Sequence, residues 1–402
     1  MIENKEIVLD EEEKEMKSIR LIELFAGIGS QAKALERLGV PFEHYRMCEY
    51  DKYAVASYNA IHGTKFTTSD ITKINGQDLG IIATGTYNYI LTYSFPCTDL
   101  SLAGKQEGMK RGSGTRSGLL WEVERLLKEC KELPQILLME NVTQVHGTKN
   151  KKDFELWIKF LESLGYKNYW RDLNAKDYGI PQNRNRCFMV SLLGEYAYDF
   201  PKPTPLKLRL KDMLEDEVDE KYYLSEKMIK YIKADNEKWT GNNGKVLVNK
   251  TIASTINTGE GSRRCDASNY IIPNIDIDNV NIKEPICLNS KGGRKGIDGL
   301  QPSLQDRVYD PDGISTAITT SFMPNIANNL RIRKLTPKEC WRLMGFDDKD
   351  YEKASKVNSN AQLYKQAGNS IVVNVLEPIF KSLLKILKPT DELVKPERNR
   401  TV

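Results

Sequence analysis

Residues 20–39, RLIELFAGIGSQAKALERLG, decide the fold class of this chain. A short apolar run ends in a turn with two glycines, and the residues after the turn place apolar side chains at helical spacing before a further glycine. Such a turn brings backbone close to a ligand at the end of a strand, although a plain tight turn would have the same sequence. The third glycine of a dinucleotide site is missing because Lys33 follows, so a nicotinamide cofactor is disfavoured.

Further strand and helix patterns alternate downstream of this unit. Strands are expected at residues 45–51, 87–94, 135–142 and 186–193, and helices at residues 117–133 and 151–165. Alternation of this kind predicts an α/β fold in which a mostly parallel sheet is covered by helices.

A second, smaller unit is predicted within the chain. At 402 residues the protein exceeds the length at which one hydrophobic core usually stops growing. Prolines at 201–205 mark a boundary, and from there to about residue 331 the sequence is rich in Asn, Asp, Gly and Ser with only short apolar pieces. Helical patterns return at 333–346 and 366–387, where a long amphipathic helix could complete the first domain. The smaller unit would then be an insertion.

Composition excludes several classes of protein. With 40% hydrophobic and 28% charged residues and no apolar run long enough to cross a bilayer, a membrane protein is not expected. The beginning of the chain is crowded with acids, unlike a secretory signal. Seven scattered cysteines without CxxC spacing predict free thiols in a reducing cytoplasm and no zinc. A net charge of +4 neither demands nor excludes a polyanionic partner.

Four residues near strand ends are candidates for chemistry. Cys97 follows Pro96 at the end of an apolar strand and precedes a loop rich in Gly, Ser, Lys and Arg, which favours an exposed thiol over the more usual inert, buried one. Glu140 ends another strand at the edge where ligands bind. Arg184 and Arg186 alternate at the start of a strand, so both side chains are expected on one face at a pocket mouth.

Acidic and aromatic residues follow two other predicted strands. Glu49 and Tyr50 offer a carboxylate for ribose hydroxyls and a ring for a purine face, and Asp70 adds an acid near another strand end. Each acid alone is more typical of a solvated cap or turn residue. Their order along the chain favours a role in binding.

Six blocks, in this order, resemble the DNA cytosine-C5 methyltransferase family, of the bacterial or phage restriction-modification type, over nearly the whole chain. They are FAGIGS (25–30), FPC (95–97), ENV (140–142), QNRNR (182–186), RKLTPKECWRLMGF (333–346) and QAGNSIVVNV (366–375). The resemblance implies a mixed, Rossmann-like sheet with helices on both faces and a smaller target-recognition domain of short strands and loops.

The resemblance also implies how the chain is divided. The expected parts are an N-terminal tail at 1–18, a catalytic and cofactor-binding domain at 19–200, a target-recognition domain at 201–331, a segment completing the catalytic domain at 332–388 and a tail at 389–402. The enzyme is expected in the bacterial cytoplasm, associated with the nucleoid through DNA.

The implied cofactor is S-adenosylmethionine, which leaves as S-adenosylhomocysteine. The residues that would bind it are Phe25, Ala26, Gly27, Gly29, Glu49, Tyr50, Asp70, Ile71, Pro96, Leu119, Asn369 and Ser370. Tyr50 stands where the family often has tryptophan. No metal ion is expected.

The implied chemistry is addition of the Cys97 thiolate to C6 of cytosine, while Glu140 holds N3 and the exocyclic amine. Such addition activates C5, which is otherwise a poor nucleophile. Glu140 must share a proton with N3, so its pKa should be raised, whereas Arg186, with Arg184 behind it, should lower the pKa of the thiol and hold O2 of the base. The target carbon lies inside the duplex stack, so the base must be flipped out.

Double-stranded DNA is the partner that the resemblance implies. Candidate contacts are Ser101, Lys105, Arg111 and Arg116 in the loop after Cys97, and Arg263, Arg264 and Arg294 in the variable region, although solvated loops would also carry such charges. Ala103 and the pair Ala317-Ile318 depart from the family pattern. A cognate restriction endonuclease would act on the same site without being bound, and the enzyme is expected to be a monomer.

Three alternatives stay open at this point. A tRNA cytosine methyltransferase would share the fold and the chemistry, but a long variable region is less expected there. A catalytically silent DNA-binding regulator is disfavoured by the intact Cys97, Glu140 and Arg186. A small-molecule methyltransferase or a dehydrogenase is disfavoured by the ordered blocks and the inserted basic unit.

Overall fold

The computed structural model of the protein describes residues 17–100, 107–225, 253–256, 270–271 and 333–387. The strands are β1 (Ser18–Leu24), β2 (Phe42–Cys48), β3 (Tyr87–Tyr93), β4 (Ile136–Asn141), β5 (Tyr166–Asn174), β6 (Gln182–Asn183), β7 (Asn185–Leu193), β8 (Ala253–Ser254), β9 (Tyr270–Ile271) and β10 (Arg333–Lys334). The α-helices are α1 (Ser30–Arg37), α2 (Lys52–His62), α3 (Leu120–Glu129), α4 (Lys151–Ser163), α5 (Pro337–Leu343), α6 (Asp348–Ser355), α7 (Asn360–Asn369) and α8 (Val373–Leu387).

A mixed sheet with the strand order β2-β1-β3-β4-β7-β5 forms the centre of the structure. β1 pairs in parallel with β2 and β3, and β3 pairs in parallel with β4, whereas β7 runs antiparallel to both β4 and β5. The central strands β3 and β4 are buried almost throughout, which explains why their sequences are nearly continuous apolar runs. The predicted α/β fold with a mixed sheet is confirmed.

Helices cover both faces of this sheet. Successive side chains of a strand point to opposite faces, and β1 accordingly sends Leu21 into one hydrophobic cluster and Ile22 into another. The first cluster includes side chains of α1 and of the C-terminal helix α8. The second includes side chains of α3 and α4. The sheet is therefore sandwiched between two helical layers.

The topology brings several loops to one edge of the sheet. β1, β2, β3 and β4 are parallel, so their carboxyl ends meet at the same edge. β7 is antiparallel to β4, so its amino end at Asn185 lies at that edge as well. The segments that begin at Phe25, Glu49 and Ser94 and the end of β4 at Asn141 therefore face a common region.

The C-terminal helices pack into the same body as the first strands. Phe380 of α8 is fully buried in the cluster that also contains Leu21 of β1. Arg37 of α1 donates to Glu377 Oε1 at 3.1 Å and to Asp347 Oδ1 at 2.6 Å. The part of the chain after residue 333 thus completes the core that the N-terminal half begins.

Only parts of the predicted recognition domain lie within the described residues. The segment 201–225 packs against α5, where Arg342 donates to the carbonyls of Met213 and Leu214. β8 pairs in parallel with β6, and β9 pairs antiparallel with β10. The domain boundaries stay predictions. In the described part of the chain, no helix combines the length and the apolar character that a bilayer span requires.

Candidate active site

Cys97 follows strand β3 on a segment that neighbouring side chains hold in place. Ser117 Oγ donates to the carbonyl of Pro96 at 2.7 Å, and Asn141 Nδ2 donates to the carbonyl of Phe95 at 2.9 Å. The Cys97 side chain is partly buried against the cluster between the sheet and α3. The thiol therefore has a fixed position at the sheet edge, but it is less exposed than the sequence predicted.

Glu140 and Arg186 lie beside this thiol on the adjacent strands β4 and β7. Arg186 Nε lies 3.4 Å from Glu140 Oε1, and both side chains are mostly buried. Register explains the meeting, because Glu140 pairs with Phe188, two residues along β7 from Arg186. The charges of Glu140, Arg186 and Arg184 all act on the Cys97 thiol. The four predicted catalytic residues therefore belong to one electrostatic cluster.

Burial dominates the pKa values of this cluster. It raises the pKa of the Cys97 thiol, and the carboxylate of Glu140 raises it further, while Arg186 and Arg184 act in the opposite direction. Both arginines act on the thiol pKa in the expected direction, but desolvation and Glu140 outweigh them, so the pKa of the thiol in the free protein lies above its ordinary value. Burial also raises the pKa of Glu140, which is the direction expected of a group that must share a proton.

Arg184 is buried and links three segments instead of standing at a pocket mouth. Its Nη1 donates to the carbonyl of Ile256 at 2.7 Å, and its Nη2 donates to the carbonyls of Gly368 at 3.0 Å and Ser370 at 2.9 Å. Burial lowers the pKa of Arg184, and the carbonyl oxygens are what hold its charge. Arg184 is therefore not at a pocket mouth, and its buried position corresponds to a positioning residue behind Arg186.

The glycine turn after β1 is folded around Glu49. Glu49 Oε2 accepts from the Gly27 amide at 2.9 Å, and Oε1 accepts from the Asp51 amide at 2.8 Å. Phe25 has a φ of 57°, a left-handed conformation that costs a side-chain-bearing residue about 1–2 kcal/mol. Its amide donates to the Cys48 carbonyl at 2.8 Å, which holds the strained turn against the end of β2. The carboxylate of Glu49 is thus fixed below the turn.

An open space lies over the turn, beside an exposed ring. A Cβ placed on Gly27 would meet nothing within 4 Å. The side chain of Tyr50 is 78% exposed, although large aromatic side chains are usually buried. At the other end of the turn a Cβ on Gly29 would lie 2.7 Å from Tyr58 Cε2 and would also collide with His62. The turn therefore has free space beside Gly27, whereas Gly29 is packed tightly against α2.

The remaining predicted cofactor residues differ in burial. The amide of Ser69 donates to the Glu49 carbonyl at 2.8 Å, which brings the half-buried Asp70 and the buried Ile71 to the end of β2. Asp70 Oδ1 accepts from the amide and the hydroxyl of Thr72, and these bonds lower its pKa. The other members are the buried Ala26, the half-buried Pro96 and Leu119, the exposed Asn369 and the buried Ser370.

The predicted DNA contacts are mostly outside the described residues. Ser101, Lys105, Arg263, Arg264 and Arg294 all lie there. Arg116 is exposed. Arg111 forms an ion pair with Glu124 and lies over the ring of Trp121 at 4.5 Å, so part of its charge is used within the fold.

Several residues that support the site were not predicted. Asp99 is buried, and its Oδ2 accepts from the Ser117 amide at 3.1 Å, so the two residues close the loop on which Cys97 lies. Asn141 anchors the segment before Cys97, as described above. Gln182 is fully buried and joins the carbonyl of Leu343 to the amide of Ile256. A polar residue inside or next to an otherwise apolar block is the signal that could have revealed them.

Comparison of the chain with known sequences shows its family. The family model described as C-5 cytosine-specific DNA methylase matches residues 19–385. Type II methyltransferase M2.ScrFI of Lactococcus lactis subsp. cremoris is 33% identical over 91% of this chain and 99% of its own length. Orphan methyltransferase M.SssI of Spiroplasma monobiae is 31% identical over 92% of this chain and 98% of its own length.

Comparison with solved structures shows the same fold. The Dnmt2 methyltransferase of S. pombe has a TM-score of 0.65 at 21% identity, and the alignment covers 92% of this chain and 99% of Dnmt2. The methyltransferase EhMeth of Entamoeba histolytica has a TM-score of 0.67 at 15% identity, and the alignment covers 93% of this chain and 100% of EhMeth. The match over residues 19–385, together with this fold, places the chain in the C-5 cytosine-specific DNA methylase family, as a DNA (cytosine-5-)-methyltransferase.

Proposed function

We propose that the protein methylates C5 of a cytosine in a specific sequence of double-stranded DNA, using S-adenosylmethionine and a covalent bond between Cys97 and C6 of a flipped-out base. The observation that carries this proposal is the meeting of Cys97, Glu140 and Arg186 at the sheet edge that also holds the turn after β1. A nucleophile, a proton-sharing acid and a cation are what addition to a cytosine ring requires.

The turn after β1 fits an adenosine cofactor. Both Glu49 oxygens accept backbone amides and still offer a second lone pair each to ribose hydroxyls. Tyr50 is exposed and offers its ring to the face of a purine. The open space over Gly27 lets backbone approach the ligand closely. When bound, S-adenosylmethionine supplies a methyl group that its positively charged sulfur makes electrophilic.

The residues of the chain perform the activation of the base. The Cys97 thiolate adds to C6, and the electron pair of the C5–C6 double bond moves toward C5. Glu140, as the protonated acid, donates to N3 and so stabilises the negative charge that the ring gains. After C5 has been methylated, loss of its proton to a base restores the double bond and expels Cys97 from C6.

The pKa shifts of the free protein are consistent with this order of events. Burial raises the pKa of Glu140, so the acid holds a proton more readily than an exposed glutamate. The ionised form of Glu140 raises the pKa of Cys97. When Glu140 becomes protonated and shares that proton with N3, this penalty on the thiolate disappears, and the attraction of Arg186 remains. Base binding and thiolate formation are therefore coupled.

DNA contacts complete the proposal. Cytosine C5 and C6 lie inside the stack of a duplex, so the base must leave the helix to reach a thiol held at a sheet edge. Arg116 is an exposed cation that suits backbone phosphates, together with the predicted Ser101, Lys105, Arg111, Arg263, Arg264 and Arg294. The enzyme is proposed to act as a cytoplasmic monomer, and a restriction endonuclease that cuts the same sequence would not need to bind it.

Expression in a bacterial host without DNA methylation tests the proposed reaction. Genomic DNA from cells that make the wild-type chain is expected to contain 5-methylcytosine within one short sequence, detected by bisulfite sequencing. Cells that make Cys97→Ala at the same level are the control and should contain none. Wild-type DNA without 5-methylcytosine, or equal methylation with Cys97→Ala, would contradict the proposal.

The role of Glu140 is tested by Glu140→Gln, which keeps the shape of the side chain but cannot donate an acidic proton. We expect the single-turnover methylation rate to fall by about 10²–10⁴-fold, the usual contribution of a positioned acid. DNA binding, measured separately by fluorescence anisotropy, should change little. A variant that keeps the wild-type rate would remove Glu140 from the mechanism.

A further inference from the structure

Two of the three histidines in the chain meet in one cluster behind the cofactor turn. His44 comes from β2, His62 from the end of α2 and Glu36 from α1. One ligand atom of each side chain lies within 4.8 Å of the other two. Neither the methyl-transfer chemistry nor DNA binding uses these residues. Their chemistry is that of a nitrogen and oxygen site for a borderline divalent metal.

The hydrogen bonds around the rings fix which nitrogen of each histidine faces Glu36. His62 Nε2 lies 3.1 Å from the carbonyl oxygen of Ile28, which can only accept, so the neutral ring has its lone pair on Nδ1. That Nδ1 lies 2.6 Å from Glu36 Oε1, at hydrogen-bond distance, so a proton lies between these two atoms in the metal-free protein and a bound metal ion would replace it. An imidazole that donates its other nitrogen to a backbone carbonyl is the usual arrangement of a metal-bound histidine.

The second ring is oriented in the same way. The Tyr58 hydroxyl donates to Glu23 Oε2 at 2.5 Å, so it accepts from His44 Nδ1, which lies 3.0 Å away. The lone pair of neutral His44 is then on Nε2, and this atom faces Glu36 Oε1 at 3.8 Å. Outer hydrogen bonds thus aim both rings at one carboxylate, as they do in zinc sites.

Distances and exposure fit a three-ligand zinc site. Bonds of about 2.0–2.1 Å in a tetrahedron place ligand atoms about 3.3 Å apart. The separations of 2.6 Å and 3.8 Å at Glu36 Oε1 bracket this value. The Glu36 side chain is 31% exposed, so it can adjust and leaves room for water as the fourth ligand, whereas the His62 side chain is fully buried.

The charges around the cluster permit a cation. Lys33 Nζ lies 3.5 Å from Glu36 Oε2, but it is also bound to Asp350 at 2.9 Å and lies 3.6 Å from Asp347. The carboxylates of Asp350 and Asp347 therefore offset the positive charge of Lys33. Glu23 lies on the far side of Tyr58, and burial raises its pKa to about 7, so it adds negative charge mainly above neutral pH.

We propose that Glu36, His44 and His62 bind one Zn²⁺ ion that joins α1, β2 and α2 behind the glycine turn. Because His62 also contacts the turn through Ile28, the ion would stiffen the wall of the cofactor site without touching the cofactor. The absence of CxxC spacing predicted no zinc, but this cluster contains no cysteine.

Cobalt binding to the whole chain, without DNA or cofactor, tests the proposal. Chelator-treated protein titrated with Co²⁺ should develop visible d–d absorption that saturates at one ion per chain and that Zn²⁺ abolishes. Thiolate charge-transfer bands should be absent, because no cysteine is a ligand. Zn²⁺ at about 100 times its dissociation constant should raise Tm by about 3 °C.

Variants in which one residue is replaced by glutamine show which side chains bind the ion. Glu36→Gln and His44→Gln should each weaken Co²⁺ binding by at least about 10-fold. His146→Gln is the matched control, because His146 is the remaining histidine and belongs to another cluster with Asp172 and Cys187. If His44→Gln fails to fold, Glu36→Gln decides alone. Absence of saturable absorption, unchanged affinity in Glu36→Gln, or loss of binding in His146→Gln would overturn the proposal.

Discussion

At the scale of single residues, the reactivity of Cys97 is set by opposing influences. Burial and the carboxylate of Glu140 raise the pKa of the thiol, and the guanidinium groups of Arg186 and Arg184 act against them. The free protein therefore keeps the thiol protonated at neutral pH, which protects it from side reactions. In the proposed mechanism, Glu140 shares a proton with the bound base, and this removes one of the two influences that disfavour the thiolate.

Alkylation of Cys97 as a function of pH tests this balance. The rate follows the thiolate fraction, so its midpoint in the free wild-type enzyme should lie above the ordinary pKa of a cysteine. Arg186→Gln removes a favourable charge and should move the midpoint to higher pH, whereas Glu140→Gln removes a carboxylate and should move it to lower pH. Peptide mass spectrometry distinguishes Cys97 from the other cysteines. Shifts in the same direction for both variants would contradict the account.

Sequence reasoning found the reactive residues but not their environment. Cys97, Glu140 and Arg186 could be found because each stands beside a strand end within a recognisable block. The direction in which the thiol pKa shifts could not be predicted, because desolvation depends on how tightly the loop packs against the sheet. The hydrogen-bond partners of Arg184 could not be predicted either, since these carbonyls at residues 256, 368 and 370 are distant in sequence.

At the scale of elements, the turn between β1 and α1 combines two kinds of glycine. Gly27 has a φ of 57° and faces open space, while Gly29 has a φ of 81° and is pressed against Tyr58 and His62. The first glycine leaves room for a ligand, and the second allows α1 to pack closely on α2. One sequence motif thus serves both binding and packing.

Substitution of the two glycines by alanine should separate these roles. Gly29→Ala adds a steric clash to an unfavourable φ and should lower the free energy of unfolding by about 3 kcal/mol. Gly27→Ala meets no neighbouring atom and should cost only about 1 kcal/mol, but its methyl group should weaken binding of S-adenosylmethionine by at least about 10-fold. Denaturant unfolding and isothermal titration calorimetry measure the two quantities. Equal destabilisation of both variants would show that the turn has a different geometry.

The elements themselves were predictable where burial is complete. Strands β1, β3, β4 and β7 have apolar runs that the sequence displays directly. Strand β5 was missed because it lies at the sheet edge, where half of its side chains meet solvent and no apolar run is needed. The two antiparallel pairings of β7 could not be predicted either, since strand direction depends on connections through space.

At the scale of the whole molecule, residues distant in sequence form a common core. Leu21 of β1 and Phe380 of α8 belong to the same hydrophobic cluster, although about 360 residues separate them. The described residues 333–387 therefore pack into the same core as the N-terminal half of the chain. The predicted recognition region lies between these two parts in the sequence.

A substitution in the last helix tests whether the two ends unfold together. Phe380→Ala should lower the free energy of unfolding by about 4 kcal/mol, because it leaves a cavity in a fully buried position. Trp341 reports on the C-terminal part, and Trp121 and Trp157 report on the N-terminal half. Variants that retain one of these probes should show coincident unfolding curves. Separate transitions would mean that the two parts do not share a cooperative core.

The central claim, attack of Cys97 on cytosine C6, is tested most directly by trapping the adduct. Random-sequence duplexes in which 5-fluorocytosine replaces cytosine contain every short recognition site, and fluorine at C5 leaves no proton to be lost after methyl transfer. With S-adenosylmethionine, the wild-type chain should form a complex that survives denaturation, with DNA attached to the peptide that contains Cys97. Cys97→Ser should form none; an adduct in that variant, or none with the wild-type chain, would contradict the account.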